Sequence, residues 1–255
     1  MTDNSINRWV AFPRRRPHAK LRLFCIPYAG GSSTIFHGWT RRMPDSVEIC
    51  LVHLPGRGGR LSEPSFTQLI PLAHAIGENL SEMLDKPFAF FGHSMGALVS
   101  FEVARYLRRH ARILPAALFV SGRRAPQLPD TDPRTHDLPL DEFLEEIRRI
   151  NGTPQEVLDN SELVSMLVPV IRADFEACQT YEYSPEPPLD CPIIAFGGAD
   201  DLEETRDKID AWREQTTRFF ALTMLQGDHF FLHKSEAALL GLLGERLGHL
   251  IRALP

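Results

Sequence analysis

Residues of the three types that together can carry out nucleophilic acyl transfer are spaced along this chain. Ser94 lies in the pentapeptide G-H-S-M-G, Asp200 and Asp201 follow a Gly-Gly pair, and His229 lies near the C-terminus. A serine hydroxyl is a weak nucleophile until an imidazole accepts its proton, and the imidazole needs a carboxylate to fix its tautomer and stabilise its cation. The set indicates a serine nucleophile and a histidine base, with Asp200 and Asp201 both open as the acid.

The segment around Ser94 is typical of a sharp strand-to-helix turn. An apolar run with strand character, residues 88–91, leads into Gly92, and a helical pattern begins after Gly96. In a G-x-S-x-G turn the glycines let two backbones cross closely while the serine hydroxyl projects from the end of the strand. A glycine-bordered turn without function is the alternative, so the interpretation depends on the strand before the motif and the helix after it.

Acyl transfer also needs two backbone N–H donors for the oxyanion that forms on the attacked carbonyl. Met95 follows the nucleophile and begins a helix, so its N–H is one candidate donor. The second donor is expected from an early strand-to-helix loop, where Ala29 precedes Gly30 and Gly31. These glycines either shape that loop for catalysis or only form a turn. A phosphate-binding loop is disfavoured because the lysine of the motif G-x-x-x-x-G-K-[ST] is absent.

Other histidines and aspartates are weaker candidates. His233 lies one helical turn after His229 and is the alternative base, whereas His93 is interpreted as structural. Asp228 is next to His229 in sequence, and a direct neighbour does not easily reach the Nδ1 atom. The sequence shows no cluster of metal ligands and no dinucleotide-binding G-x-G-x-x-G motif. We therefore expect neither a metal nor a cofactor.

The order of apolar patterns along the chain predicts an α/β fold, with a mostly parallel central sheet and helices on both faces. The predicted strands are 22–28, 47–54, 88–91, 116–121, 191–196 and 218–225. The predicted helices are 66–84, the helix after Gly96, 140–150, 154–158, 161–181, 203–215 and 235–253. Loops that follow parallel strands meet at one edge of the sheet, so Ser94, the acid and His229 are expected to come together there.

The strand and helix alternation breaks between residues 123 and 188, where no strand-like run occurs. Because this gap is too long for an ordinary connection, we predict a helical lid over residues 123–188, between two parts of the core at 1–122 and 189–255. The apolar side chains of its third helix are expected to line an acyl channel, with packing against the sheet as the alternative. The candidates are Met166, Val170 and Phe175.

Residues 1–20 are polar and rich in arginine and proline, so a flexible or surface-bound arm is expected, with Arg14, Arg15 and Arg16 in solvent.

The chain has 255 residues, of which 43% are hydrophobic, enough for one large core with an insertion. A net charge of −5 without a basic stripe disfavours nucleic acid as a ligand. No run of 18 apolar residues and no signal segment is present, so we expect a cytoplasmic monomer without membrane contact. The four cysteines are interpreted as core residues.

Five segments carry a family resemblance: PYAGGS, LPGRG, FGHSMGALVSFEVA, FGGADD and GDHFFL, in this order. They closely resemble the type II thioesterases of polyketide synthases and nonribosomal peptide synthetases, which have the α/β-hydrolase fold. The match covers most of the chain and is weakest in the arm and the lid. It implies that Ser94, Met95, Ala29 and His229 occupy the family's nucleophile, oxyanion and base positions. It also aligns Asp201 with the acid, but the family usually has G-G-x-x-D-P and this chain has leucine in place of the proline, so Asp200 stays open.

The resemblance further implies a function. It implies hydrolysis of aberrant or stalled acyl groups from the phosphopantetheine arm of acyl or peptidyl carrier proteins in antibiotic biosynthesis, through an acyl intermediate on Ser94. The enzyme would need no cofactor of its own, because the substrate carries the phosphopantetheine. Carrier proteins are generally acidic, so Arg123 and Arg124 are candidates for a basic rim, with ordinary solvated positions as the alternative. A general esterase or acyltransferase, or a noncatalytic binding protein on the same fold, is the alternative function.

Overall fold

A seven-stranded sheet forms the centre of the protein in a computed structural model, which describes residues 8–130, 132–150, 152–153 and 155–254. The strands are β1 (Val10–Ala11), β2 (Leu21–Ile26), β3 (Val47–Val52), β4 (Phe88–His93), β5 (Ala117–Ser121), β6 (Ile193–Gly198) and β7 (Phe220–Leu225). Their order is β1-β3-β2-β4-β5-β6-β7. The β1 strand pairs antiparallel with β3, and the other pairings are parallel. The predicted mostly parallel sheet is confirmed.

Helices connect the strands and cover both faces of the sheet. The α-helices are α1 (Leu69–Leu80), α2 (Met95–His110), α3 (Leu140–Ile150), α4 (Gln155–Leu158), α5 (Ser161–Gln179), α6 (Arg206–Asp210), α7 (Phe231–Lys234) and α8 (Glu236–Ala253). Short 3-10 helices occur at Ser33–Arg41, Gly58–Arg60, Ser81–Met83 and Ala211–Gln215. None of the helices that the structure describes has both the length and the apolar composition needed to cross a membrane.

The sheet has a buried hydrophobic layer on each face because successive strand residues point in opposite directions. In β2, Phe24 and Ile26 belong to the layer under α1 and α2. Leu23 and Cys25 belong to the opposite layer, under α8 and the 3-10 helix Ser33–Arg41. Parallel strands covered on both faces are apolar along their whole length, which is why these segments were recognisable as strands from the sequence.

Between residues 123 and 188, the described part of the chain contains α3, α4 and α5 and no strand. These helices share a small hydrophobic core of their own, which contains Phe143, Ile147 and Ile171. The predicted helices 140–150 and 161–181 correspond closely to α3 and α5; Pro154, the predicted start of the helix between them, lies outside the described residues. The division of the chain at residues 122 and 188 stays a prediction.

The N-terminal segment differs from the expectation. Residues 1–7 lie outside the described residues, but Val10 and Ala11 add an edge strand to the sheet. Arg14 and Arg15 are exposed, whereas Arg16 is buried. The guanidinium of Arg16 donates to four backbone carbonyls in and beside the loop before β3. The prediction that Arg16 is solvated was therefore wrong, because four backbone carbonyl oxygens create a buried site for the terminal N–H groups of its guanidinium.

Candidate active site

Ser94 occupies the turn between β4 and α2 with φ 51° and ψ −118°, a conformation that a residue with a side chain rarely adopts. The two motif glycines make this turn possible. A Cβ atom on Gly92 would lie 2.0 Å from the carbonyl oxygen of Gly96, and one on Gly96 would lie 2.2 Å from that of Ile26. Both spaces are too small for any side chain, so the close backbone contacts require the glycines of G-H-S-M-G.

His229 lies in the loop after β7, and its Nδ1 atom is 2.8 Å from Oδ2 of Asp201. The other oxygen of Asp201 accepts hydrogen bonds from the backbone N–H groups of Glu203 and Glu204, at 3.0 Å each. Asp200 is exposed. An Nδ1–H that donates to Asp201 leaves Nε2 of His229 unprotonated and able to accept a proton. The geometry favours Asp201 over Asp200 as the partner of His229.

The surroundings keep Asp201 ionised. Burial raises the pKa of this carboxyl, but the hydrogen bond with His229, the charge of His229 and the two backbone N–H donors outweigh burial, so its pKa lies below the usual value. The side chain of Asp201 is only 3% exposed. A carboxylate that stays charged next to His229 stabilises the imidazolium that forms when His229 accepts a proton.

His93 lies beneath this pair as a buried, neutral ring. Its Nδ1 atom is 2.9 Å from Oγ of Ser121, and its centroid is 5.2 Å from that of His229. Burial, followed by the nearby histidines His229 and His233, lowers the pKa of His93 well below its ordinary value. His93 therefore packs against His229 as a structural residue, in agreement with the interpretation from sequence.

The two weaker candidates have other partners. Nε2 of His233 lies 3.0 Å from the hydroxyl of Tyr28. The carboxylate of Asp228 accepts from Nζ of Lys234 at 2.7 Å and from the backbone N–H of Phe230 at 3.0 Å. Neither arrangement directs the side chain towards the Asp201 and His229 pair.

The two predicted oxyanion donors follow neighbouring parallel strands. Met95 is the first residue of α2, where backbone N–H groups have no helical acceptor and the helix dipole favours negative charge. Ala29 follows β2 in a turn closed by a hydrogen bond from the N–H of Gly31 to the carbonyl of Tyr28, at 2.9 Å. Because β2 and β4 are paired, both N–H groups lie at the same edge of the sheet.

A cavity of about 1040 Å³ opens at this edge, and its wall includes Ala29, Ser94, Asp201 and His229. Its volume is at the upper end for small-molecule sites. Within the described residues no three His, Cys, Asp or Glu side chains are grouped as metal ligands would be. The site thus joins a strained serine, an aspartate-oriented histidine and the backbone N–H groups of Ala29 and Met95, an arrangement suited to acyl transfer through a serine ester.

Comparisons with known proteins agree with this chemistry. The thioesterase domain family matches residues 21–247 of the chain. This chain belongs to the thioesterase domain family. The gramicidin S biosynthesis protein GrsT of Aneurinibacillus migulanus is 44% identical over 244 residues, which cover 96% of this thioesterase and 95% of GrsT.

Two further comparisons extend this result. The solved structure of BorB, a type II thioesterase from the borrelidin biosynthetic cluster, is 38% identical with a TM-score of 0.86, covering 94% of this chain and 97% of BorB. LgrE of Brevibacillus parabrevis is 45% identical over 249 residues, with 96% and 95% coverage, and is named a linear gramicidin dehydrogenase. The sequence of this thioesterase has no dinucleotide-binding motif, and its site has the serine, histidine and aspartate of a hydrolase.

Helices α3 to α5, the predicted lid, contribute apolar side chains to the wall of the cavity, but with a different face of α5 than expected. Phe175 lines the cavity, as do Leu167 and Ile171 on the same face of the helix. Met166 is half-exposed and Val170 is buried outside the cavity wall. The expectation that Met166 and Val170 line the channel is therefore corrected, because each lies one residue away from the stripe of α5 that faces the cavity.

The proposed basic rim at Arg123 and Arg124 is also corrected. Arg124 is buried and forms ion pairs with Glu204, Asp130 and Asp132. Arg123 is largely buried and forms ion pairs with Asp130 and Glu204. Since carboxylates neutralise both guanidinium groups within the thioesterase, neither one provides an unpaired charge for a partner.

Sequence reasoning missed two charged residues close to residues 29–31, the loop that is predicted to supply an oxyanion donor and is named here the oxyanion loop. Arg57, in the L-P-G-R-G segment, and Asp174, in α5, form a buried ion pair next to Gly30 and Gly31. A single charged residue on the inner face of an apolar lid helix was the available signal for Asp174. Its partner lies more than a hundred residues away in the chain, so the pairing itself is visible only in the folded thioesterase.

Proposed function

We propose that this thioesterase hydrolyses aberrant or stalled acyl groups from the phosphopantetheine arm of acyl and peptidyl carrier proteins, as an editing enzyme of polyketide or nonribosomal peptide biosynthesis. The hydrogen bond between Asp201 and His229, on a cavity wall shared with Ser94, carries the proposal of serine-based hydrolysis. The similarity to BorB and GrsT supports the biosynthetic setting.

In the proposed first step, Oγ of Ser94 attacks the carbonyl carbon of the thioester while Nε2 of His229 accepts the hydroxyl proton. The carboxylate of Asp201 stabilises the resulting imidazolium of His229. The N–H groups of Ala29 and Met95 bind the oxyanion of the tetrahedral intermediate. When the intermediate collapses, the carbon–sulfur bond breaks, His229 gives its proton to the sulfur, and the free thiol leaves.

In the second step, His229 removes a proton from a water molecule, which attacks the ester carbonyl on Ser94. Collapse of the second tetrahedral intermediate breaks the ester bond and returns the proton to Oγ of Ser94. The products are a carboxylic acid and the free thiol of the carrier arm. The protein needs no cofactor for these steps, because the phosphopantetheine arrives with the substrate.

The acyl chain would occupy the cavity between the sheet edge and the lid. Apolar side chains from two lid helices face this space, among them Ile147 from α3 and Leu167, Ile171 and Phe175 from α5. We further propose a cytoplasmic monomer that meets carrier proteins in a reducing compartment. The four unpaired cysteines support this setting, since disulfides are rare in reducing compartments.

The decisive experiment compares the same acyl group on a carrier protein, on a small free thiol and on an alcohol. We expect free acid from all active substrates, with the highest kcat/KM for the carrier-bound thioester and no turnover by Ser94→Ala. Equal efficiency on carrier and free thiol would favour a general esterase, and transfer of the acyl group to an added nucleophile would favour an acyltransferase. An unlabelled Ser94 after treatment with a fluorophosphonate would indicate a noncatalytic binding protein.

A further inference from the structure

The thioesterase contains a buried ion pair that has no direct part in the proposed chemistry. The guanidinium of Arg57 donates two hydrogen bonds to the carboxylate of Asp174, at 2.6 and 2.7 Å. The side chains are 8% and 2% exposed, respectively. Arg57 lies in the loop after β3 and Asp174 on the lid helix α5, so the pair joins the core to the lid.

Both charged groups also bind the backbone of the oxyanion loop. Oδ2 of Asp174 accepts a hydrogen bond from the N–H of Gly30 at 2.7 Å. The guanidinium of Arg57 donates to the carbonyl oxygen of Gly31 at 3.2 Å. The Ala29–Gly30 and Gly31–Ser32 peptide units are therefore fixed from outside the loop, one by each member of the ion pair.

The same face of α5 also packs against the loop through an apolar contact. Gly30 has φ +72°, and a Cβ atom at this position would lie 2.8 Å from Cγ1 of Ile171. Ile171 and Asp174 are three residues apart and hence on one side of the helix. The conformation of the loop thus depends on the lid helix as well as on the sheet.

We propose that Asp174, held by Arg57, is a positioning residue that keeps the N–H of Ala29 directed at the oxyanion. This inference rests on the proposed function, because it assigns a role within the same reaction. Fixing the Gly30 N–H fixes the peptide plane that follows Ala29, and the hydrogen bond from Gly31 to Tyr28 closes the turn on its other side. Without Asp174, the Gly30 N–H has no acceptor in the loop and the turn relaxes.

Stability alone does not account for this ion pair. Burying two charges costs solvation free energy, and replacing a buried pair with apolar residues of similar volume is often neutral or stabilising. Apolar residues cannot, however, accept from Gly30 or donate to Gly31. Oxyanion donors act only over a narrow range of distances, and a displacement of about 1 Å can reduce the rate a hundredfold.

The test is the double variant Arg57→Met/Asp174→Leu, which removes both charges and retains the buried volume. We expect a folded protein whose kcat for a small acyl thioester falls tenfold to a hundredfold, with KM within about threefold of wild type. The affinity for a trifluoromethyl ketone analogue of that thioester should fall by the same factor as kcat. The hemiketal that it forms with Ser94 requires the oxyanion donors, whereas ground-state binding does not.

The matched control is Arg22→Met/Glu48→Leu, which removes another buried ion pair, at the amino-terminal ends of β2 and β3, where Nε of Arg22 lies 3.0 Å from Oε2 of Glu48. It should leave kcat and the affinity for the ketone unchanged, even where the thermal midpoint shifts. If Arg57→Met/Asp174→Leu does not fold, Asp174→Ala tests the same point, since alanine removes the acceptor of the Gly30 N–H. A wild-type kcat and ketone affinity in the folded variant would overturn the proposal.

The small thioester keeps this test separate from the proposed function. A failure of carrier-protein editing would appear as equal wild-type efficiency on carrier-bound and free substrates. A failure of the positioning role would appear as unchanged kcat on the small thioester in the variants, whatever the carrier result.

Discussion

The backbone conformation of Ser94 concentrates strain at the proposed nucleophile. A positive φ at a residue with a side chain costs about 1–3 kcal/mol and persists only where the surrounding structure imposes it. Here the close contacts of Gly92 and Gly96 impose it. The strain depends on the backbone and not on the hydroxyl, so the nucleophile can be removed without disturbing the turn.

Replacing Ser94 with alanine is expected to leave the fold intact and to lower kcat by at least about 10⁴-fold, because the members of such a triad act as a unit. Steady-state hydrolysis and thermal unfolding measure the two effects. Gly92→Ala provides the structural contrast: its Cβ atom would overlap the carbonyl of Gly96, so the thermal midpoint should fall sharply. Near wild-type turnover by Ser94→Ala would rule out the serine mechanism.

The two adjacent aspartates give a second prediction at this scale. Asp201→Asn should lower kcat by about 10⁴-fold, since an amide does not hold the tautomer of His229 that accepts the serine proton. Asp200→Asn should change kcat by less than about threefold because Asp200 is exposed and does not contact His229. Equal losses in the two variants would show that Asp201 is not the acid.

The buried His93 predicts a dependence of stability on pH. In the unfolded chain His93 binds a proton near its ordinary pKa of about 6.5, but in the folded protein burial lowers that pKa well below this value. Between these two pKa values the unfolded state holds more protons, so the free energy of unfolding decreases as the pH falls below about 6.5. One proton accounts for a slope of at most about 1.4 kcal/mol per pH unit.

Urea unfolding between pH 7.5 and 5.5 measures this slope, and His93→Asn should make it shallower. His53, His74 and His233 also have lowered pKa values and contribute to the slope in the same direction, but they are present in both the wild type and the His93→Asn variant. The difference between the two slopes therefore belongs to His93. Identical slopes would mean that His93 takes up its proton in the folded state as readily as in the unfolded state.

At the scale of elements, helix α5 combines two tasks on one face. Leu167, Ile171 and Phe175 line the cavity, and Asp174 binds the oxyanion loop. An acyl chain in the cavity would therefore contact the same helix that fixes the loop. Changes in the lid that leave this face in place should alter the choice of substrate without altering the chemistry.

Phe175→Ala is expected to enlarge the cavity and to raise the relative kcat/KM for long acyl chains over short ones. Met166→Ala, which lies more than two turns earlier in α5 and is half-exposed, is the control and should leave the ratio unchanged. The measurement is kcat/KM across a series of acyl lengths, together with the thermal midpoint of each variant. A lower midpoint with an unchanged ratio for Phe175→Ala would show that this ring is a core residue, since it also packs edge-on against Phe143.

At the scale of the whole molecule, the distribution of charge differs from the basic rim expected at the mouth of the cavity. Among the described residues, carboxylates outnumber arginines along the cavity wall, and ion pairs neutralise Arg123 and Arg124. The chain as a whole has a net charge of −5. An acidic carrier protein would therefore meet little attraction at this face.

Raising the ionic strength should leave kcat/KM for a carrier-bound acyl group unchanged or increase it, because salt screens the repulsion between two acidic proteins. The same acyl group on a neutral small thiol serves as the control and should show no change. A steep decrease with salt for the carrier-bound substrate alone would instead indicate a basic docking surface away from the cavity wall.

The sequence was sufficient for most of the fold because the strands are covered on both faces and read as apolar runs. Prediction from the sequence was wrong where a strand is very short or where the burial of a side chain depends on groups that are distant in the chain. Val10 and Ala11 form an edge strand too short to show a pattern. Arg16 resembles its exposed neighbours in sequence, but four carbonyl groups bring it into the interior.

The sequence alone predicted that Ser94, Ala29 and His229 lie at one edge of the sheet and that Met95 begins the helix after Ser94, because loops after parallel strands meet at one edge of a sheet. Only the tertiary structure showed that Asp201 contacts His229, which stripe of α5 faces the cavity, and that Arg57 pairs with Asp174. Each of these depends on the direction of a side chain or on the distance between segments far apart in the chain. The spacing of apolar residues in the sequence identifies a helix or strand. Which face of that element is buried, and which distant residues contact it, is decided only by the tertiary packing of the whole chain.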